Sequence, residues 1–189
     1  MSSGVGRTFE VSYWLKPAMR WANRQIDDFT LRIKAENTAK HFLVADSLFS
    51  GNSFKVTKGK GKIRKNKFDY DTEFIEIALR DGTVEWHSTN FRPKEDLDIC
   101  SADMYTSFGE NYPFGYFYDR SDTYVPSWKD EAVNKRILRN LPYANRGYVF
   151  KDKKLQDYFS KLFWYMPDPQ WKMSTNDFTP SELKFIQSK

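Results

Sequence analysis

The sequence predicts an α+β protein, with an antiparallel, aromatic-rich β-sheet over residues 7–120 and a small helical unit over residues 127–189. Three observations carry this expectation. Apolar residues recur with period two from Ile26 to about Ser88, the spacing of half-buried strands. From Ser127 onward the period lengthens: Val133, Ile137 and Leu141 share one helical face, as do Leu155, Tyr158, Phe159, Leu162 and Phe163. Between these regions, residues 119–126 are polar and end in proline, which sets the boundary.

Each element has its own signal. Phe9 to Tyr13 alternates like a strand, and Pro17 suits the first turn of a short helix. Phe29, Leu31, Ile33 and Ala35 alternate with Thr30, Arg32 and Lys34, and Asn37-Thr38 suits a turn into a second strand from His41 to Phe49. Residues 50–53 are a loop by composition, and Phe54-Lys55-Val56 resumes the alternation. Ile75, Ile77 and Leu79 precede Asp81-Gly82, and Val84 and Trp86 follow it. Asp-Gly suits the positive backbone angles of a type I′ turn, so a two-residue hairpin is expected to anchor the sheet there. The aromatic run Tyr112 to Tyr118 reads as a last strand or as a wall packed on the sheet.

In the helical part, Ser127 stands three residues before Asp130, a capping-box-like start, and Gly147 permits a turn. Asp152 opens a second helix, which Pro167 and Pro169 are expected to stop. The sharpest local signal is the last. Thr179 as N-cap, Pro180 at the first helical position, Glu182 three residues after the cap and a Phe178–Leu183 staple all predict a short final helix from Pro180.

The second region carries a recognisable set of residues: Arg139-Asn140, Tyr143-Ala144, Gly147, Phe150-Lys151, Leu155-Gln156, Tyr158-Phe159, Trp164-Tyr165 and Pro167. With these it resembles the YARHG domain, a small bacterial module usually found in extracytoplasmic proteins. Asn145-Arg146 stand where the motif has Arg-His. The resemblance implies a non-catalytic module of the cell envelope, and it carries over no activity.

Composition bounds the rest. The 189 residues suffice for one domain or two small ones, 17% are aromatic, and the net charge of +5 permits an anionic partner without demanding one. One cysteine, Cys100, excludes an intrachain disulfide. No apolar run approaches the roughly 18 residues of a membrane span. Residues 1–6 read as an added leader in place of a signal sequence, which implies export to the periplasm or cell surface. A natural start at Met1 implies the cytoplasm instead.

Several constellations bear on function. Lys55, Lys58, Lys60, Lys62, Arg64, Lys65 and Lys67 fall in one tract without an acidic residue, a density that attracts phosphate, anionic lipid or acidic wall polymer. The plainer reading is a solvated edge strand protected by lysine. No aromatics interleave with the tract, so single-stranded nucleic acid is disfavoured. Asp69, Asp71 and Glu73 share a strand face, and cross-strand pairing with the lysines explains them more simply than a cation site. Cys100, His41 and His87 show no nucleophile or zinc-ligand spacing. Trp171 is the better surface candidate for stacking on a sugar ring, and Trp164 belongs to the core. Arg146 and Arg139 suit either a carboxylate or phosphate ligand or the capping of helix carbonyls. The expected contact residues are therefore Trp171, Tyr116, Tyr118, Lys58, Lys60, Lys62, Arg64 and Arg146, with no catalytic residue, metal or cofactor. The expected partner is a cell-wall glycan or an envelope protein. An enzyme or enzyme inhibitor with a site between sheet and helices is the alternative, and nucleic-acid binding through the lysine tract is a weaker one.

Overall fold

The computed structural model describes residues 10–36, 40–49, 53–67, 73–101, 103–104, 116–117 and 131–187. The chain divides into two compact units, residues 7–102 and residues 103–189 with 1–6. The first holds an antiparallel sheet and the second the helices, the α+β architecture expected.

The sheet unit is organised around β5, Glu73–Phe91, whose length lets it serve three partners. Strands β2 (Ile26–Ala35) and β3 (Lys40–Ala45) lie end to end along one edge of β5, pairing with residues 82–91 and 74–79. Strand β4, Lys55–Lys67, runs along the other edge from Glu73 to Glu85. Strand β6 (Leu97–Ser101) adds to β3, and β1 (Glu10–Tyr13) adds to β6. Proline starts a short 3-10 helix, Lys16–Arg20, after β1. Asp96 closes it, its Oδ1 accepting the N–H groups of Leu15 and Lys16 at 2.8 and 2.9 Å. The Lys16 N–H first, then its ammonium, holds the Asp96 carboxyl below the usual carboxylate range.

The Asp81-Gly82 hairpin does not form, because β5 passes straight through those residues. The local conformation was legible, since Asp81 has φ 45°. Its consequence is a bulge, not a reversal. Ile75, Ile77 and Leu79 are buried at odd positions, whereas Val84 and Trp86 are buried at even ones, so one residue is inserted between the two series. Strand β4 answers at Gly59, φ 67°, where a Cβ would stand 1.8 Å from the Asp81 carbonyl oxygen. The two irregularities face each other, and both strands return to one register beyond them. Residues of both series, with Phe42, Val44, Phe49, Phe54, Phe91 and Leu97, form one core. Trp86 is its hub, with edge contacts to Phe49 at 5.0 Å and Phe91 at 5.1 Å between ring centroids. The expected strand over residues 41–49 is shorter, since a 3-10 turn at Asp46–Leu48 ends it and tucks Leu48 and Phe49 into that core.

Of the aromatic run, Tyr116–Phe117 is a strand, β8, but it pairs with β7 (Asp103–Met104) in a separate two-stranded ribbon. Residues 112–115 and Tyr118 lie outside the described residues, as do Asn37-Thr38, Asp69, Asp71 and Ser127.

In the helical unit α1 is Glu131–Asn145, α2 is Lys153–Ser160 and α3 is Pro180–Gln187. Ile137 and Leu141 are buried, while Val133 is exposed. Helix α1 ends in a Schellman turn: Gly147 takes φ 83°, its N–H donates to Ala144 at 2.9 Å, and the Tyr148 N–H donates to Tyr143 at 3.0 Å. Asp152 caps α2 through the Leu155 N–H. The helix stops at Ser160, before the last two residues of its apolar pattern. The Lys161 N–H turns back onto Tyr158 and Phe159, and this brings Leu162, Trp164 and Tyr165 inside against Phe159. Helix α3 starts as expected. Thr179 Oγ1 accepts the Glu182 N–H at 3.2 Å, and the Glu182 carboxylate accepts the Thr179 N–H at 2.8 Å.

Candidate functional site

Directly opposite residues of an antiparallel ladder share a face. Lys60, Lys62 and Arg64 therefore stand on the side of Arg80, Ala78 and Glu76, away from the apolar core that Gly61, Ile63 and Lys65 border. Lys58, two residues before Lys60, stands opposite Thr83, with the ladder shifting register on either side of it. Lys58, Lys60 and Lys62 are exposed and Arg64 is half-buried. At about 3.4 Å per residue, alternate side chains of a regular strand repeat at about 7 Å, the spacing of Lys60, Lys62 and Arg64, with Lys58 beyond the irregularity at Gly59. Among the described strands β4 pairs with β5 alone, which leaves its far edge toward solvent.

Arg64 and Lys65 are engaged inside the sheet unit. Arg64 Nε donates to Glu76 Oε2 at 2.5 Å, and Glu76 is buried on β5 with His41 Nε2 at 3.9 Å from the same oxygen. Lys65 points to the other face and holds Asp46 at 2.8 Å; that hydrogen bond raises the lysine's pKa. No ion pair is recorded for Lys55 or Lys58 among the described residues. His87 is exposed, its Nε2 3.0 Å from Asp28. Cys100 lies on β6, half-buried opposite Leu43. Among the described residues no group of three or more His, Cys, Asp or Glu is placed to hold a metal.

Of the two roles expected for Arg146, the structure shows the capping one. It is buried, and its guanidinium donates to both oxygens of Glu182 at 3.0 and 2.9 Å, to the Pro142 carbonyl at 2.8 Å and to the Asp177 carbonyl at 2.9 Å. The Phe178 ring lies 4.5 Å from its central carbon. Glu182 thus caps α3 and anchors the arginine at once, tying the end of α1 to the start of α3. This is the helix-capping alternative, and it turns the guanidinium inward. Asn145, the other altered motif position, is buried beside it.

Residues 129–188 match the YARHG domain. The match covers the three helices and the turn at Gly147. No curated protein and no solved structure matches this chain. Within the YARHG domain, Trp164 is fully buried, and Trp171 is half-buried with edge contacts to Tyr148 at 6.1 Å and Phe178 at 6.5 Å. Tyr116 lies in β8, and Tyr118 is outside the described residues. Among the described residues no helix is long and apolar enough to cross a membrane.

Sequence reasoning missed an exposed aromatic strip in the sheet unit. Tyr13, Trp14 and Trp21 are 60, 78 and 53% exposed at the β1 edge and the 3-10 turn after it. Residues 7–25 have no sustained period, so composition alone marked them as mixed. It also missed Arg80, buried on β5 beneath a residue pattern that reads as solvent-facing.

Proposed function

We propose that this protein is a non-catalytic module of the bacterial cell envelope whose sheet unit holds an anionic wall polymer along the outer face of β4. One observation carries the reading: Lys58, Lys60 and Lys62 stand exposed in one row on a strand whose far edge has no described partner. A polymer with regularly spaced anions meets such a row as a series of weak contacts whose avidity grows with length. The YARHG domain match supports the extracytoplasmic location, in the periplasm or at the cell surface. Its own basic centre, Arg146, is engaged internally, so the polymer contact falls to the sheet unit.

Co-sedimentation of the purified chain with isolated bacterial cell walls tests this. Retention is expected at low ionic strength and is lost at about 1 M salt, where screening shortens to about 3 Å. Lys60→Gln with Lys62→Gln lowers retention several-fold at low salt. Retention unchanged by salt and by the double substitution would overturn the reading.

A further inference from the structure

A second feature on the same outer face lies just before the lysine row. Where β4 begins, a polar groove of about 530 Å³ opens between Ser53, Lys55 and Thr57 on one side and Glu85, His87 and Thr89 of β5 on the other. That volume falls in the ordinary range of small-ligand sites, roughly 300–1,000 Å³. Among the described residues no apolar side chain lines it, which gives a flat apolar or aromatic ligand little surface from which to displace water.

The groove's charges are arranged by its neighbours. Arg32 Nε donates to Glu85 Oε2 at 2.6 Å, holding the carboxylate from the β2 side. Asp28 holds His87 at 3.0 Å in the same way. Lys55, directly opposite Glu85 in the ladder, has no ion pair among the described residues. With Arg32 set against Glu85, Lys55 is the lining cation without an ion pair among the described residues. Along the same groove stand the hydroxyls of Ser53 and Thr89, able to donate to an oxyanion, and that of Thr57, which donates to the Thr83 carbonyl at 3.4 Å and can still accept. Glu85, fixed by Arg32, is the strong acceptor. One cation in a groove that also carries hydroxyl donors, with a carboxylate acceptor across from it, matches a phosphate carried on a hydroxylated chain. The phosphate meets Lys55 and the hydroxyls, and the chain's own hydroxyl donates to Glu85.

We infer that this groove is a binding subsite for one phosphorylated polyol unit, and that it reads the repeat of the polymer whose further anions follow Lys58, Lys60 and Lys62. This rests on the polymer-binding reading above, which it sharpens from charge to chemical class. The same phosphate and hydroxyls also occur in a glycerophospholipid headgroup; the soluble polymer repeat is the source inferred here.

Backbone amide NMR on the full chain separates the outcomes, with glycerol 3-phosphate, inorganic phosphate and glycerol as small probes and inorganic polyphosphate as the long one. Glycerol 3-phosphate is expected to shift the Ser53, Thr57, His87 and Thr89 amides saturably and at least tenfold more tightly than inorganic phosphate, with no shift from glycerol. Lys55→Gln weakens that binding at least tenfold, and Glu85→Gln removes the preference over inorganic phosphate. Both leave the spectrum outside the groove in place. Lys60→Gln with Lys62→Gln weakens polyphosphate binding and spares glycerol 3-phosphate. Groove amides unmoved by glycerol 3-phosphate, or moved equally in the Lys55 variant, overturn the subsite even if polyphosphate still binds the row. Polyphosphate binding that ignores the row variant sinks the polymer reading instead, whatever the groove does. Sedimentation with phosphatidylglycerol vesicles, without a response to soluble glycerol 3-phosphate, assigns the face to membrane and also overturns the inference.

Discussion

The two units put the same side-chain chemistry to opposite uses. In the YARHG domain Arg146 and Glu182 are both buried, at 8 and 9% side-chain exposure; Arg146 also donates to the Asp177 carbonyl ahead of α3, and Glu182 caps its own helix through the Thr179 N–H. In the sheet unit the comparable pair Arg32–Glu85 lies at 66 and 29%, on a face that stays open to solvent. Burial decides what each pair can do. A buried pair left with one member costs the desolvation of the other, whereas an exposed pair contributes little to folding and stays available to a ligand. The recognisable motif of this chain is therefore a folding device, and the contact surface proposed above falls on the unremarkable lysine tract.

The sharpest way to break this comparison is at its buried end. Arg146→Ala leaves the Glu182 carboxylate buried without its partner, and a loss of about 3–5 kcal/mol is expected from the YARHG domain. Chemical denaturation with amide exchange across α1 and α3 reads it. If the variant keeps its exchange protection there, Arg146 is not the clamp described.

A glycine offers the matching test in the sheet unit. Gly59→Ala forces a side chain into a left-handed conformation and toward the Asp81 carbonyl, so a loss of at least about 2 kcal/mol is expected. Exchange should quicken in β4 and in β5 around Asp81. A stable variant would show that the bulge can move along the strand.

These two sites show what was legible in the sequence and what was not. The cap at Thr179, the turn at Gly147 and the cap at Asp152 were readable because each is a contact within a few residues. At Asp81-Gly82 the expected positive angle holds for Asp81 alone, and the outcome is a bulge in place of a turn. A positive φ serves a hairpin or a bulge equally, and only Gly59, more than twenty residues away, distinguishes them. The end of α2 escaped for a related reason: Leu162 continues the helical period, but tertiary burial of Trp164 and Tyr165 outweighs it. The lysine tract was legible as charge and as a strand. Lys58, Lys60 and Lys62 keep the alternation the sequence shows, but the side on which Lys55 stands was not legible, because the ladder slips between Val56 and Lys58. Lys55 and His87 lie far apart in sequence, and the ladder register joins them.

On the exposed side, substitution should change binding and spare folding. Lys60→Gln with Lys62→Gln should leave the unfolding midpoint within about 0.5 kcal/mol of the parent while wall retention falls several-fold. A large stability loss would place these lysines in the fold.

The smallest expected effect concerns acid, and it separates the units by cause. Asp96 in the sheet unit and Asp152 in the YARHG domain both have folded-state pKa values lowered from the ordinary carboxyl value. As pH falls, the unfolded chain takes up these protons first. The stability each group supplies is therefore complete above the ordinary carboxyl range and lost as pH drops through the lowered value. The leading cause differs. Asp96 is held first by the backbone N–H of Lys16, which salt does not screen, and Asp152 first by the exposed Arg136 guanidinium at 2.5 Å. Adding about 1 M salt should therefore flatten the acid limb of the Asp152 contribution more than that of Asp96. Acid titrations of Asp96→Asn and Asp152→Asn beside the parent, at low and high salt, measure each contribution by difference. An equal salt response for both would mean that the ion pair with Arg136 adds nothing beyond the cap that Asp152 already provides to α2.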